Sequence, residues 1–373
     1  MTTRFTFSQG QYNEKRTDSP FAMEPQLHDA GVNGTIVRAK LKKSVWDCLG
    51  DNAPPNSTTD VFAVKISRAG RTNQGILEKE FLEAMKKYDV DHKHLVICYT
   101  CFEYQENLYF VMPLANGHLN DFMRTHSSKG LNAPSDGSTF KWLLGQMHGL
   151  AGALESIHKP GPGLIGWHHD VKPENILYFE TAKDGIEFRI TDWTTAKICE
   201  DGSNDPASEM YGKTPGSTNI GWPAYLPYET LLRATACTPD IWSLGCVFLE
   251  LFIWFDKGYE ALDHDSEDAP GFRQRRRIET RSFLDELKGK IGNPDVAKSE
   301  DLDVFYAKDG SLLGVVEAEI SSLRKTDGFD FRWNDTIRFI KEMLLSEGKY
   351  RPTADVVRLK FMSLEAIELL SDE

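Results

Sequence analysis

Ten residues from His168 to Leu177, His-His-Asp-Val-Lys-Pro-Glu-Asn-Ile-Leu, bring an acid, a cation and an amide close together. Asp170 is followed two residues on by Lys172 and five on by Asn175. In a tight loop this spacing lets one carboxylate accept a proton from a hydroxyl. The lysine then neutralises charge on a moving phosphoryl group, and the amide oxygen holds a metal. Taken alone, the stretch also suits a polar turn before the apolar run Ile176, Leu177, Tyr178, Phe179. A second charged position is Lys65, inside the apolar strand pattern Val61 to Ile66; a lysine there is costly unless paired or turned to water at a sheet edge. A third is Asp192, which follows the strand-like residues from Phe188 and lies 22 residues after the first acid (192 minus 170).

The elements that must position these groups are legible in outline. Residues 1–20 are polar and aperiodic and read as a loosely attached arm. Gly31 and Gly34 stand three apart between apolar residues, which suits either an ordinary hairpin or a turn whose backbone N–H groups approach phosphate. A polar loop spans 47–60. Residues 75–88 form an amphipathic helix with Leu77, Phe81, Leu82 and Met85 on one face. Glu78 and Glu80 are both placed there to meet Lys65; Glu78 lies beside the apolar face and is preferred. Strands are expected over 94–102 and 108–112, then a Pro-Leu-Ala-Asn-Gly break at 113–117. A helix over 139–158 and a Gly/Pro insertion at 159–163 lead into the acid-bearing loop.

Composition narrows the function classes. The 373 residues are 40% hydrophobic and 27% charged, as in a globular protein with a sizeable core. A net charge of -13 argues against nucleic acid as the main partner. No uninterrupted apolar run reaches membrane-span length, since the longest, Ile241 to Phe255, contains Glu250; no membrane association is expected. The first residues carry no apolar segment of signal-peptide length, so a cytoplasmic or nuclear location is expected. Six scattered cysteines read as free thiols. The pair Cys98 and Cys101 lacks a second pair to complete a zinc site.

Downstream, 195–220 is rich in Gly, Ser, Asn, Asp and Pro, as an exposed segment would be. Then come Gly221-Trp222-Pro223-Ala224-Tyr225-Leu226-Pro227-Tyr228-Glu229, and Asp240-Ile241-Trp242-Ser243-Leu244-Gly245 opening a nearly all-apolar helix, and far on Arg351-Pro352-Thr353-Ala354. The order H-x-D-x-K-x-x-N, an aspartate-aromatic pair, G-x-P-x-Y-L-x-x-E and D-x-W-S-x-G resembles the eukaryotic protein kinase family, serine/threonine type, over about residues 25–368. The long segment after Phe255 is similar to that of fungal kinase-like proteins.

That resemblance implies an α+β, two-lobed fold: a small β-rich lobe with one key helix over about 21–112, a hinge over 113–117, and a larger, mainly helical lobe over 118–373. It implies ATP in the cleft and transfer of the γ-phosphoryl group to a protein hydroxyl. Lys65 would orient phosphates and pair with Glu78, with Gly31 and Gly34 in the phosphate loop. Asp170 would act as base and Lys172 steady the γ-phosphate, while Asn175 and Asp192 hold Mg²⁺. Ile36, Ala63 and Leu177 would sandwich the adenine, whose edge meets the Pro113 carbonyl and the Ala115 N–H. The resemblance implies that Glu229 pairs with Arg351.

Four positions depart from the family pattern. His169 replaces the arginine that usually grips a phosphorylated activation segment, so weak dependence on such phosphorylation is expected. Asp29 and Thr194 replace glycines, and Trp222 replaces the threonine that touches the catalytic aspartate and lysine. Two readings therefore stand: an ATP- and Mg²⁺-dependent serine/threonine kinase, and a pseudokinase scaffold acting through protein interactions. A small-molecule kinase is disfavoured by the D-x-W-S-x-G helix. The basic run Arg273, Arg275, Arg276, Arg277 after the acids Asp263, Asp265, Glu267 and Asp268 reads as an exposed insertion whose charges answer each other, with a nuclear-localisation patch as the alternative.

Overall fold

The computed structural model of the chain describes residues 26–31, 34–40, 42, 61–68, 74–104, 107–127, 138–181, 185–200, 223–232, 237–291, 302–325 and 331–367. The polar arm 1–20, the loop 47–60, the turn residues Val32 and Asn33, and 201–222 with Trp222 lie outside the described residues.

Five antiparallel strands form the first lobe: β1 (Gln26–Gly31), β2 (Gly34–Lys40), β3 (Val61–Arg68), β4 (Thr100–Tyr104) and β5 (Asn107–Pro113), in the order β1-β2-β3-β5-β4. Side chains alternate across such a sheet. One face gathers Val37, Ala39, Phe62, Val64, Tyr109 and Val111 into a small core. The other carries Ala63 and Lys65, and the register places Ile36 opposite Lys65 on one side and Phe110 opposite it on the other. Helix α1 (Gln74–Lys87) buries Glu78, Phe81, Leu82 and Met85, and its apolar residues join Phe110 and Met112 in the main core. Gly34 is required by close approach: at φ 142°, a Cβ would stand 2.8 Å from the Ile66 carbonyl oxygen.

The strand expected from residue 94 begins only at Thr100. The preceding residues send their backbone bonds to the second lobe instead, with Ile190 N–H donating to the His94 carbonyl and Val96 N–H to the Ile190 carbonyl, both at 2.8 Å. The apolar pattern of His94 to Cys98 therefore reflects burial against the second lobe, and contact with β5 begins at Tyr99, whose N–H donates to the Val111 carbonyl at 2.8 Å.

The second lobe contains β6 (Gly117–His118), α2 (Leu119–Thr125), α3 (Ser138–His158), β7 (Leu164–Trp167), β8 (Ile176–Thr181), β9 (Gly185–Ile190) and β10 (Lys197–Glu200). Then come α4 (Thr238–Lys257), α5 (Tyr259–Leu262), α6 (Phe272–Arg281), α7 (Leu284–Ile291), α8 (Gly314–Ser322), α9 (Phe331–Met343) and α10 (Ala354–Ala366). Strands β6, β8 and β9 make one small sheet, and β7 with β10 another. A β-rich lobe with one helix and a helical second lobe is the architecture that the sequence implied.

Helix α4 is the axis of the second lobe. Every residue from Pro239 to Trp254 is buried, and it ends at Gly258, whose φ of 86° no other residue adopts without strain. By length and composition it could cross a membrane, which an uninterrupted-run criterion missed because Asp240 and Glu250 break the run; 89% of its apolar window is packed inside the fold.

Glu250 in that helix corrects the reading of the arginine run as exposed. Arg273 and Arg276 are buried, Arg276 fully. Arg273 donates to Glu250, Asp263 and Asn120, and Arg276 to Glu250 at 2.8 Å and Asp303 at 2.9 Å. Arg275 pairs with Glu319 at 2.6 Å. A buried carboxylate on α4 needs cationic partners, and α6 supplies them from one face.

Candidate active site

The acid-bearing loop runs from β7 to β8 through a 3-10 turn at Pro173–Asn175, where proline at the first position presets φ. Lys172 Nζ donates to Asp170 Oδ2 at 2.8 Å. Asn175 Nδ2 donates to the same oxygen and to the Asp170 backbone carbonyl, each at 2.8 Å. The amide nitrogen of Asn175 is thus committed to Asp170, so its carbonyl oxygen is the end turned away from that carboxylate.

The loop is held from beneath by Asp240. Its carboxylate accepts from the backbone N–H groups of His168 at 2.8 Å and His169 at 2.7 Å, and pairs with His158 Nε2 at 2.8 Å. Burial works to raise the Asp240 pKa, but the His158 bond and the neighbouring histidines outweigh it and hold the group well below the usual carboxylate range. His169 has φ 61°, uncommon for a residue with a Cβ, and its ring is buried and stacked on Trp167 at 5.4 Å. Sequence reasoning noted the D-x-W-S-x-G motif without this role, because a side chain that caps backbone N–H groups leaves no partner residue type to read.

Lys65 joins three elements. From β3 its Nζ lies 2.8 Å from Glu78 Oε2 on α1 and 2.9 Å from Asp192 Oδ1 beyond β9. Burial pushes the ammonium toward neutrality, yet the carboxylates of Asp192 and Glu78 prevail and its pKa stands above the ordinary lysine value. Glu80 is exposed, so α1 presents Glu78 to the lysine. The two clusters meet through the backbone: Thr191 N–H donates to the Asn175 carbonyl at 2.9 Å, and Ile176 pairs with Ile190.

Asp192 has φ 67° and stands just outside the strand that was expected to carry it. Trp193 stacks on Phe81 of α1 at 5.3 Å and meets His168 edge-on at 5.2 Å. Thr194 donates to Asp192 Oδ1 at 3.0 Å and Thr195 to the His168 carbonyl at 2.7 Å. Strand β10 then pairs with β7, Lys197 opposite Trp167.

Ile36, Ala63 and Lys65 share the sheet face that carries this cluster, with Met112 opposite Ala63. Leu177, half-buried in β8, pairs with His118 of β6. Pro113 ends β5, and Ala115, half-buried, follows before the short β6. Gly31 pairs with Gly34 across the hairpin whose tip lies outside the described residues. Asn175 and Asp192 offer an amide oxygen and a carboxylate, hard donors suited to Mg²⁺. Farther out, Arg351 Nη2 donates to Glu229 Oε2 at 3.0 Å, with its guanidinium 5.0 Å from the Trp242 ring.

The sequence matches the model of the protein kinase domain over residues 52–361. This chain belongs to the protein kinase family. Among its relatives are the rat (Rattus norvegicus) 3-phosphoinositide-dependent protein kinase 1, 31% identical over 201 residues, which are 52% of this chain and 31% of that protein. The mouse (Mus musculus) homeodomain-interacting protein kinase 1 is 26% identical over 200 residues, 53% of this chain and 15% of the relative. The match thus takes in less than a third of either relative's length.

Proposed function

We propose that this chain is an active protein kinase that transfers the γ-phosphoryl group of ATP to a serine or threonine hydroxyl of a protein, and that it works in the cytoplasm or nucleus. The observation that carries the reading is the bridge from Lys65 to both Glu78 and Asp192, beside an Asp170 already engaged by Lys172 and Asn175. The polar groups that phosphoryl transfer requires are assembled together, which supports catalysis rather than a nucleotide-free scaffold. The buried free thiols of Cys98, Cys101 and Cys246 support a reducing compartment.

In this reading Lys65, held by Glu78, binds the α- and β-phosphates. Ile36, Ala63 and Leu177 enclose the adenine, and the Pro113 carbonyl and Ala115 N–H meet its edge. Asn175 and Asp192 would hold Mg²⁺, which when bound neutralises charge on the phosphates. Asp170 accepts the proton of the substrate hydroxyl as its oxygen forms the new bond to the γ-phosphorus. The bond to the leaving ADP oxygen breaks and its electron pair stays on ADP, while Lys172 offsets charge on the γ-phosphoryl oxygens.

The test is phosphoryl transfer from labelled ATP with Mg²⁺, onto the chain itself and onto casein, beside Asp170→Ala and Lys65→Met. Transfer by the wild type, lost in both variants, supports the reading. No transfer, with an ATP-dependent thermal shift that Lys65→Met abolishes, replaces it with a pseudokinase that binds nucleotide.

A further inference from the structure

Residue 194 carries a hydroxyl where the family pattern has a glycine, and the structure gives that hydroxyl a partner. Thr194 is buried, and its Oγ1 donates to Asp192 Oδ1 at 3.0 Å, the same oxygen that accepts from Lys65 at 2.9 Å. Asp192 itself sits at φ 67°, in the left-handed region that aspartate enters more readily than most residues with a Cβ.

The residues that follow are fastened one after another. Trp193 is stacked on Phe81, Thr195 is bonded to the His168 carbonyl, and Ala196 N–H donates to the Trp193 carbonyl at 3.1 Å. A glycine at 194 would supply no donor and would widen the backbone freedom of this turn. A threonine does the opposite, because its branched Cβ restricts χ1 while its hydroxyl reaches a neighbouring side chain.

We propose that Thr194 is a positioning residue that fixes the rotamer of Asp192 and so preassembles the carboxylate for the divalent cation. The inference rests on the reading of Asp192 as a metal ligand. Two donors on one carboxylate oxygen, one from each lobe, hold the group against rotation about χ1 and χ2. Asp192 is thus ordered before nucleotide arrives, and a glycine at 194 would remove one of these two donors and leave more of the ordering to binding.

The test is calorimetric binding of ADP with Mg²⁺ and with EDTA, for the wild type, Thr194→Val and Thr194→Ser, with unliganded thermal midpoints alongside. Valine keeps the shape and removes the donor; serine keeps the donor. Thr194→Val should reduce the Mg²⁺-dependent enhancement of ADP affinity about 10-fold, the low end for a hydrogen bond to a charged acceptor, with metal-free affinity within about 2-fold. Thr194→Ser should recover most of the loss, which a merely structural role would not require. Should the valine variant fail to fold, Thr194→Ala, which also lacks the hydroxyl, takes its place. An enhancement in Thr194→Val equal to that of the wild type overturns the role of Thr194 alone, as does a serine variant no better than valine. A wild type that binds ADP equally with Mg²⁺ and with EDTA overturns the metal assignment of Asp192, and this role with it.

Discussion

Acid should weaken the contact between the lobes through His94. The ring is buried, with Nδ1 2.6 Å from the Phe188 carbonyl oxygen, and its far side packs so closely on α3 that a Cβ on Gly149 would stand 2.1 Å from Nε2. Burial lowers its pKa from 6.5 to about 3; the Phe188 carbonyl opposes this, while Lys93, His92 and Arg189 add to it. The folded state thus keeps His94 neutral where the unfolded chain protonates it. Between pH 6.5 and about 3 the unfolded state binds more protons, so stability is full above pH 6.5 and falls as pH drops through that window. From pH 7 to pH 5 the loss assigned to this one group is about 2 kcal/mol. His94→Asn is the informative variant, because its amide nitrogen takes the place of Nδ1 and keeps a donor for Phe188 without a titrating ring. Urea unfolding at pH 7 and pH 5 measures both proteins, and other titrating groups contribute equally to each. The wild type should lose about 2 kcal/mol more than the variant on acidification. Equal losses would refute the reasoning, whatever the absolute stability of the variant.

Two further outcomes are expected. Glu78→Gln should lower kcat about 10- to 100-fold by letting Lys65 drift toward Asp192 alone, while Glu80→Gln, at an exposed position, should stay within about 2-fold in the same phosphoryl-transfer assay. Arg276→Met, which leaves Asp303 and half of Glu250 uncompensated in the core, should cost about 3–5 kcal/mol in urea unfolding, while Arg275→Ala should cost less than about 1 kcal/mol.

What was legible in the sequence is what lies close along the chain. Asp170, Lys172 and Asn175 fall within six consecutive residues, so their closeness was readable, while the bonds from Lys172 and Asn175 to the Asp170 carboxylate come from the structure. Lys65 stood out as one charge in an apolar strand, and its burial follows from the alternation of β3. The choice between Glu78 and Glu80 needed the rotation of α1, which no local pattern fixes. His94 to Cys98 looks like strand in the sequence because burial between lobes gives the same apolar pattern as burial in a sheet. The arginines of α6 were read as surface because their partner Glu250 lies 23 or more residues back on another helix. The left-handed backbone of His169 and Asp192 and the capping by Asp240 had no signal in residue type, since backbone groups are the same at every position.

The two buried charge clusters differ in a way that bears on function. Around Glu250, the carboxylate is fully buried and met by two arginines and the Tyr225 hydroxyl, and an apolar substitute of the same volume would serve stability as well; the arginines reach outward to Asp263 and Asp303, 36% and 16% exposed. Around Lys65, the Asp192 side chain is 17% exposed, and at the neighbouring Asp170 the Lys172 side chain is 19% exposed, so exposure alone does not separate the two clusters. The loop carrying the second group and the segment carrying the first each contain a residue in left-handed backbone, at His169 and Asp192. Strain of this kind persists only where surrounding contacts impose it, and here Asp240 and the donors on Asp192 do so. A stable scaffold gains nothing from charges carried on left-handed backbone, whereas the proposed phosphoryl transfer needs Lys65, Asp170, Asn175 and Asp192 held in place before nucleotide arrives.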